Sequence, residues 1–360
     1  MQTVFVGLSG GVDSAVSAYL LKKEGYNVVG AFIKVWEPDF LPCTSSQDRL
    51  DAMRVAAHLE IPFVTYDLAD EYKQGVVDYF IDEYKKGRTP NPDVMCNREV
   101  KFGAFWEQAQ KDGADMIATG HYAQIQKVKS SGLKVAGKIP TTHYRLLRGV
   151  DESKDQSYFL WTLTQDDLSH SLFPIGHLPK SEVRNIADSV GLPNAIKKDS
   201  QGLCFLGHVD MHEFLKHYIP VEVGVVHDTE GKEIGRHDGV WFYTIGQRLP
   251  VITGEKMFVV RKDLKKNILV VSAQKNDNNL AQTTWELSDI HWIRSKPQEG
   301  EVYEGETRYH GTRHSIRIAG NVITFEKPVL AAAGQSVVVY EPQSGECLGG
   351  GIIESHADNR

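Results

Sequence analysis

A doubly wound parallel α/β sheet followed by small β-domains is the fold class this sequence predicts, on three observations. Residues 1 to about 120 alternate strand and helix signals, as a sheet assembled from βαβ units requires. The first strand signal, residues 3–6, runs into Ser9-Gly10-Gly11-Val12-Asp13-Ser14 and then an apolar-periodic segment. Beyond about residue 207, short strand-like runs are separated by Gly, Asp and Asn turns, the pattern of small barrels.

The first helix carries Val16, Tyr19 and Leu20 on one face and should end near Gly25. Residues 28–36 read as the second strand. A helix with Leu50, Met53 and Ala57 in register follows, and residues 62–66 give a third strand. Val77, Phe80, Ile81 and Tyr84 mark another amphipathic helix that stops before Gly87, and residues 115–119 supply a strand ending in Gly120-His121. Residues 181–190 read as a helix closed by Gly191. Further on, residues 223–226, 258–261, 268–271, 322–325 and 336–340 are strands of the β-domains.

Two adjacent glycines at 10 and 11 let successive backbone N–H groups face one anion at a helix N-terminus. Ser9 and Ser14 add hydroxyls, and Asp13 can hold a metal ion or cap the helix. An ordinary strand–turn–helix connection is the alternative. No G-x-x-x-x-G-K-[ST] or post-strand G-x-G-x-x-G is present, so Walker and Rossmann readings fail. Ligands of such sheets bind beyond the carboxyl ends of the strands, so residues 7–14, the surroundings of Ile33 and Gly120-His121 should converge. The Ile33 side chain reads as core, with a backbone contact to a base as its functional alternative. For His121 a structural role outweighs a catalytic one.

Residues 87–98 contain two prolines and a glycine and are expected as a loop beside the crevice. Cys96 should sit just ahead of a helix carrying Phe102, Phe105 and Trp106; Arg98 and Lys101 nearby would lower its pKa, unless it is a buried, inert thiol. Residues 127–142 read as a surface hairpin or a mobile excursion. Lys154-Asp155-Gln156-Ser157-Tyr158 is either a capped helix start or a ligand contact, and Asp199-Ser200-Gln201-Gly202-Leu203-Cys204 is a second loop-borne thiol. Residues 308–317 hold Arg308, Arg313 and Arg317 among Tyr and His with no acidic residue, which suits phosphate contact and base stacking or a solvated strand face.

Composition bounds the class. The 360 residues are 41% hydrophobic and 24% charged with a formal net charge of −7, so a nucleic-acid partner would need a local basic face. No apolar run reaches spanning length and no charged signal prelude opens the chain; a cytoplasmic protein without membrane contact is expected. The cysteines at 43, 96, 204 and 347 form no C-x-x-C, which disfavours a zinc site or a disulfide scaffold. Cys43 and Cys347 receive no role.

The Ser9–Ser14 string resembles the pyrophosphate loop of ATP pyrophosphatases, which cleave ATP to AMP and pyrophosphate while adenylating a substrate. Six motifs in order are similar to those of the tRNA-specific 2-thiouridylase family: Ser9–Ser14, residues 89–97, Ala118-Thr119-Gly120-His121-Tyr122, Lys154–Tyr158, Asp199–Cys204 and Cys347-Leu348-Gly349-Gly350-Gly351. The resemblance covers essentially the whole chain. It implies an adenine nucleotide alpha-hydrolase-like domain over 1–206, a small β-rich domain over 207–283 and a tRNA-contacting β-barrel over 284–360. It implies ATP-dependent adenylation of the C2 oxygen of the wobble uridine, then sulfur transfer from a cysteine persulfide to give 2-thiouridine, AMP and pyrophosphate.

On the same resemblance Gly7, Leu8, Ser9, Gly10, Gly11, Val12, Asp13, Ser14, Ile33 and Gly120 would bind ATP, with Asp13 a candidate Mg²⁺ ligand. Asn91, Pro92 and Asp93 would meet the target base; Lys154, Asp155, Gln156, Arg308 and Tyr309 would touch tRNA. Cys96 would be the nucleophile and Cys204 the persulfide carrier, with Asp93 counted among the catalytic residues. The second thiol would either activate the transferred sulfur or release it by forming a disulfide. Expected partners are tRNAs of the Lys, Glu and Gln type and a persulfide-donor protein, with a monomeric enzyme and no permanently bound cofactor. Residues 127–142 are longer than the family pattern, and the stretch after Gly246-Gln247-Arg248 lacks its glycine-rich run. An amide-forming ATP pyrophosphatase and a non-catalytic, ATP-gated tRNA-binding protein are the competing readings.

Overall fold

The computed structural model describes residues 1–40, 45–129, 142–199, 210–250, 256–274 and 281–354. Cys43, Cys204 and most of the 127–142 stretch therefore lie outside the described residues. Among the described residues no helix is long and apolar enough to cross a membrane.

Five parallel strands form the first sheet, in the spatial order Phe63–Asp67, Asn27–Lys34, Thr3–Gly7, Met116–Ala118, Ser171–Leu172. The chain winds outward from Thr3–Gly7 in one direction and then in the other, so strand order reverses at the carboxyl end of that strand, where such sheets bind ligands. Alternation along Thr3–Gly7 divides the apolar interior. Val4 and Val6 join Val16, Val28, Ala52 and Val183 on one face, while Phe5 joins Ile33, Phe105 and Ile117 on the other. Helices Val12–Lys23, Ser45–His58 and Lys180–Ser189 cover the first face. The helical stretches from Ala69 to Lys85 and from Pro92 to Lys111 cover the second.

Two expectations are corrected here. Helix Ser45–His58 buries Ala52, Val55 and Ala56, while Leu50, Met53 and Ala57 face solvent. Small side chains let this helix lie close against the sheet, and that proximity outweighs the larger apolar residues on its other side. Residues 87–98 are not a loop throughout, because a helix begins at Pro92. Proline at the first helical position gives up no hydrogen bond, and Asn91 caps the turn by accepting from the N–H groups of Asp93 (3.2 Å) and Val94 (3.4 Å). Cys96 consequently sits inside the helical rod, where its winding widens over Cys96–Ala104.

The central β-unit is a five-stranded sheet ordered Arg248–Pro250, Lys256–Asp263, Ile268–Ser272, Gly224–His227, Glu233–His237. Val226, Val259, Leu269 and Val271 fill it. Beyond it, Gln282–Trp292, Val322–Val329, Arg313–Ala319, Tyr303–Glu306, Ser336–Tyr340 and Glu346–Ile353 pair in that order, and Glu346–Ile353 returns to Gln282–Trp292 to close a six-stranded antiparallel barrel. Ile316, Ile318 and Ile323 point into it.

The barrel is bolted to the first sheet's domain. Ala123–Lys129 and Thr142–Arg148 form an antiparallel hairpin whose second strand continues the barrel sheet, with Leu147 opposite Glu346 and Leu146 opposite Cys347. Trp161, buried to 1% exposure, donates its indole N–H to Ser336 Oγ at 3.1 Å, and the Tyr158 hydroxyl donates to the Ser336 carbonyl at 3.1 Å. Tyr340, Cys347 and Ile352 of the barrel share one apolar cluster with Cys96, Phe105 and Trp161. Each large side chain so buried contributes about 1.5–3 kcal/mol, enough to fix how the barrel sits.

Candidate active site

The turn at the end of Thr3–Gly7 opens a helix with its backbone N–H groups uncapped, a geometry that suits an anion. Gly10 has φ +75°, and a Cβ there would lie 2.6 Å from the Asp48 carbonyl, so helix Ser45–His58 presses on the turn. Ser9 N–H donates to Ser14 Oγ at 3.2 Å, Gly11 N–H to Ser9 Oγ at 3.3 Å, and Ser14 Oγ to the Gly11 carbonyl at 3.1 Å. No side chain caps Val12–Lys23, which leaves its first N–H groups for a ligand. Asn194 donates to the Gly10 carbonyl at 2.9 Å and steadies the turn from behind.

Gly120 lies against this helix start. A Cβ at Gly120 would stand 2.8 Å from the Ser14 nitrogen and 2.9 Å from the Asp13 carbonyl carbon. Both neighbours are backbone, so Gly120→Ala is expected to displace the turn, costing about 1–3 kcal/mol of stability. Parallel thermal melting and nucleotide titration check this; an unchanged melting midpoint would show that the turn yields freely.

Asp13 stands in the first turn of the helix. It accepts from the Tyr122 hydroxyl at 2.8 Å and from the Lys180 ammonium at 2.7 and 2.9 Å. Burial, reinforced by the Asp13 charge, pushes the Tyr122 phenol far above its ordinary value, so it stays a donor. Lys180 also reaches Asp199 at 2.8 Å, where Lys154 (3.0 Å) and Arg184 (2.6 Å) meet it. Burial works to raise the Asp199 carboxyl, but the ammonium groups of Lys180 and Lys154 outweigh it and hold the group well below the usual carboxylate range. Lys197 bridges Asp48 (2.8 Å) and Asp51 (2.7 Å) beside the turn.

A second cluster forms where the Pro92 helix start meets the barrel. Cys96 is fully buried one turn into the helix. Asn97 donates to the Phe159 carbonyl at 3.1 Å. Tyr309, at a barrel tip, packs its ring 4.4 Å from that of Phe159 and 6.4 Å from that of Tyr158. Burial, helped by the charges of Asp155, Glu306 and Asp93, pushes the Tyr309 phenol up to about 12. Upstream, both β-units hold Thr89. Its N–H donates to Ala333, its carbonyl accepts from Gln335 at 2.7 Å, and its hydroxyl lies 3.1 Å from that of Thr244.

Three family models match the chain in succession: a tRNA methyl transferase HUP domain over residues 2–208, a tRNA methyl transferase PRC-barrel domain over 212–273, and an aminomethyltransferase beta-barrel domain over 282–353. The chain is 44% identical to a tRNA-specific 2-thiouridylase MnmA of Streptococcus thermophilus, over 98% of this chain and 95% of that protein. It is 45% identical to one of Nitrosomonas europaea, over 97% of each. The chain belongs to the tRNA-specific 2-thiouridylase family.

Within that family frame the expected residues fall into three groups. Ser9 to Ser14 form the turn, and Gly120 the strand end packed on it. Leu8, Val12 and Ile33 turn their side chains into the core, and the Leu8 N–H is taken by the Ala31 carbonyl at 2.8 Å, while Gly7 closes the strand. Asn91, Pro92, Asp93 and Cys96 share one helix start, and Tyr309 packs on Phe159, whose carbonyl accepts from the neighbouring Asn97.

The Lys154–Gln156 tripeptide works largely inward. Asp155, buried, accepts from Gly149 N–H (3.0 Å) and Ser157 N–H (3.1 Å), and Gln156 brackets the backbone of Tyr122 from both sides. His121 is buried, with Nδ1 2.7 Å from Thr119 Oγ1, and burial lowers its pKa well below the ordinary value, so it is a structural neutral imidazole. Burial pushes the Cys347 thiol up to about 12 and leaves it inert. Cys204 lies outside the described residues, five positions beyond Asp199.

Sequence reasoning gave no individual role to Tyr122, Lys180, Arg184, Asn194 or Asp199, although Tyr122 and Asp199 stand in two of the motifs; these five bond to the turn, to Asp13 or to one another. One signal was present: Lys180 opens a helix, where an ammonium opposes the macrodipole and gains nothing locally. Asp13, whose carboxylate holds the Lys180 ammonium, would be the protein's carboxylate to a Mg²⁺ ion; among the described residues no group of three or more His, Cys, Asp or Glu side chains could hold a metal by itself. Magnesium is bound by one or two carboxylates together with substrate phosphates, and when bound it would neutralise pyrophosphate charge.

Proposed function

We propose that the chain is an ATP-dependent tRNA uridine 2-sulfurtransferase acting on the wobble uridine. The observation that carries this reading is a chain 44% identical throughout to a protein named a 2-thiouridylase, with the uncapped Ser9–Ser14 turn at the end of the central strand and the chain leading into the Asn91–Cys96 helix start held by barrel residues Ala333 and Gln335. A carbonyl oxygen is a poor leaving group. In the proposed reaction the uridine C2 oxygen attacks the α-phosphorus of ATP, and pyrophosphate leaves along the Gly10–Ser14 turn. Loss of the N3 proton makes that oxygen nucleophilic, and Asp93 is the carboxylate of the base-side set able to accept it.

The outer sulfur of a Cys204 persulfide then attacks C2 and AMP leaves. Attack of the Cys96 thiolate on the Cys204 sulfur releases 2-thiouridine and leaves a Cys96–Cys204 disulfide, which a thiol reductant reopens. A wobble base must leave its stack to enter, so RNA is gripped beyond the crevice; Tyr309 offers a stacking face, and Arg308 and Lys154 offer cations. Asp155 and Gln156 act by holding Gly149 and Tyr122 in place. The proposed division of labour keeps residues 1–206 for ATP chemistry and uses 207–283 and 284–360 to hold tRNA. Lys, Glu and Gln type tRNAs, a persulfide-donor protein, a monomeric state and a cytoplasmic location complete the proposal.

The test is nucleotide product analysis with Mg-ATP, with and without unmodified tRNA and a persulfide source, followed by nucleoside mass spectrometry. AMP and pyrophosphate are expected only with tRNA, together with 2-thiouridine. AMP without RNA dependence would indicate a small-molecule substrate, and tight tRNA binding with no turnover a binding protein.

A further inference from the structure

We infer that Lys180 is a pyrophosphate ligand of the nucleotide, held on Asp13 and Asp199 until the nucleotide arrives. The inference rests on the ATP reading above and names a residue that reading does not use. The Lys180 ammonium lies 2.7 and 2.9 Å from the two Asp13 oxygens and 2.8 Å from Asp199, with its side chain 13% exposed. It therefore stands beside the first turn of the helix whose free N–H groups face the anion site. Its ring neighbour is Tyr122, whose face lies 5.7 Å from the ammonium.

Charge counting gives the direction. Lys154, Lys180 and Arg184 converge on Asp199, and Lys180 alone among them also neutralises Asp13. Once Asp13 is engaged by a divalent cation, two carboxylates, Asp199 and the adjacent Asp151, are left to three cations. The surplus positive charge faces the phosphate turn, where a polyphosphate is the anion that compensates it. Helix stability does not account for this lysine, because an ammonium in the first turn of Lys180–Ser189 opposes the helix dipole. The backbone N–H of Lys180 is separately satisfied by Asp151 at 2.8 Å, so the side chain is not needed to cap the helix.

A lysine that were only a strut for Asp13 would behave differently from a phosphate ligand, and the full-length chain separates the two. Inorganic pyrophosphate, Mg-ATP and adenosine are titrated calorimetrically into the wild type, Lys180→Met, Lys180→Arg and Asp199→Asn. A ligand role predicts that Lys180→Met weakens pyrophosphate and ATP at least about tenfold while adenosine changes less than about twofold. Lys180→Arg should recover most of the loss. Asp199→Asn should tighten pyrophosphate several-fold, since it removes a competing carboxylate.

Wild-type pyrophosphate affinity in Lys180→Met, or weakening in Asp199→Asn, would overturn the inference in favour of a strut. Should Lys180→Met lose adenosine as well, its fold has changed and the sign of the Asp199→Asn effect decides. A wild type that binds neither ATP nor adenosine would overturn the nucleotide reading itself, and this inference with it.

Discussion

Cys96→Ser is expected to release AMP and pyrophosphate in the presence of tRNA and to make no 2-thiouridine. The thiol lies fully buried one turn inside the helix that starts at Pro92, on a different element from the Asp13–Lys180–Asp199 cluster proposed to hold phosphate. Serine keeps the volume and removes the sulfur chemistry. A hydroxyl is not ionised near neutral pH and does not exchange with a persulfide, so thiouridine formation should fall by on the order of a thousandfold or more. Burying a hydroxyl in place of a thiol costs about 1–3 kcal/mol, and a Cys96→Ala companion shows how much of any loss is stability. Both quantities come from one reaction mixture: AMP by nucleotide chromatography and 2-thiouridine by nucleoside mass spectrometry. Thiouridine at wild-type rates in the serine protein would remove Cys96 from the sulfur path, and loss of AMP formation in a folded protein would place it in the adenylation step instead.

What the sequence showed, and what it hid, follows a physical division. The Ser9–Ser14 stretch was legible as a tight turn between strand and helix because the positive φ at residue 10 demands glycine, a local requirement. The parallel order of the strands was legible from the alternation of elements. The outward face of Ser45–His58 was misread because Leu50 and Met53 carry more apolar surface than Ala52 and Ala56, although only the alanines let the helix approach. Lys180 is 167 residues from its partner Asp13, and no periodicity links an ammonium to a carboxylate across that distance. The hairpin strand Thr142–Arg148 shows nothing in sequence of its pairing with Glu346–Ile353, since any half-buried strand satisfies the same pattern.

The hairpin pairing and the grip on Thr89 would give the β-units a part in the proposed chemistry beyond the RNA binding proposed for them. Gln335 of the barrel and Thr244 of the central unit fix the chain two residues before Asn91, the cap on which the Cys96 helix depends. Tyr158 and Trp161 anchor on Ser336 and carry Phe159, which receives Asn97. The base-side geometry is thus set by contacts from three parts of the chain. The contacts around the proposed phosphate turn lie within residues 1–199.

That separation makes Asp13 the counterpart of Cys96. Asp13→Ala is expected to abolish both products, AMP and 2-thiouridine, whereas Cys96→Ser loses only the second. Removing the carboxylate deprives the Tyr122 hydroxyl of its acceptor and Lys180 of one of its two anionic partners. It also removes the one carboxylate in the first turn of Val12–Lys23. Pyrophosphate would then leave without that group or the cation it holds, and ATP cleavage should fall by on the order of a thousandfold. The orphaned Tyr122 hydroxyl adds a stability cost of about 1–3 kcal/mol. Asp13→Asn keeps an acceptor for Tyr122 and lacks the charge, so it should melt near the wild type and still fail to cleave ATP. Single-turnover conversion of labelled ATP, run with saturating tRNA, reads the effect directly. Normal AMP production by Asp13→Asn would show that pyrophosphate does not leave along this turn, and the assignment of Ser9–Ser14 would fall with it.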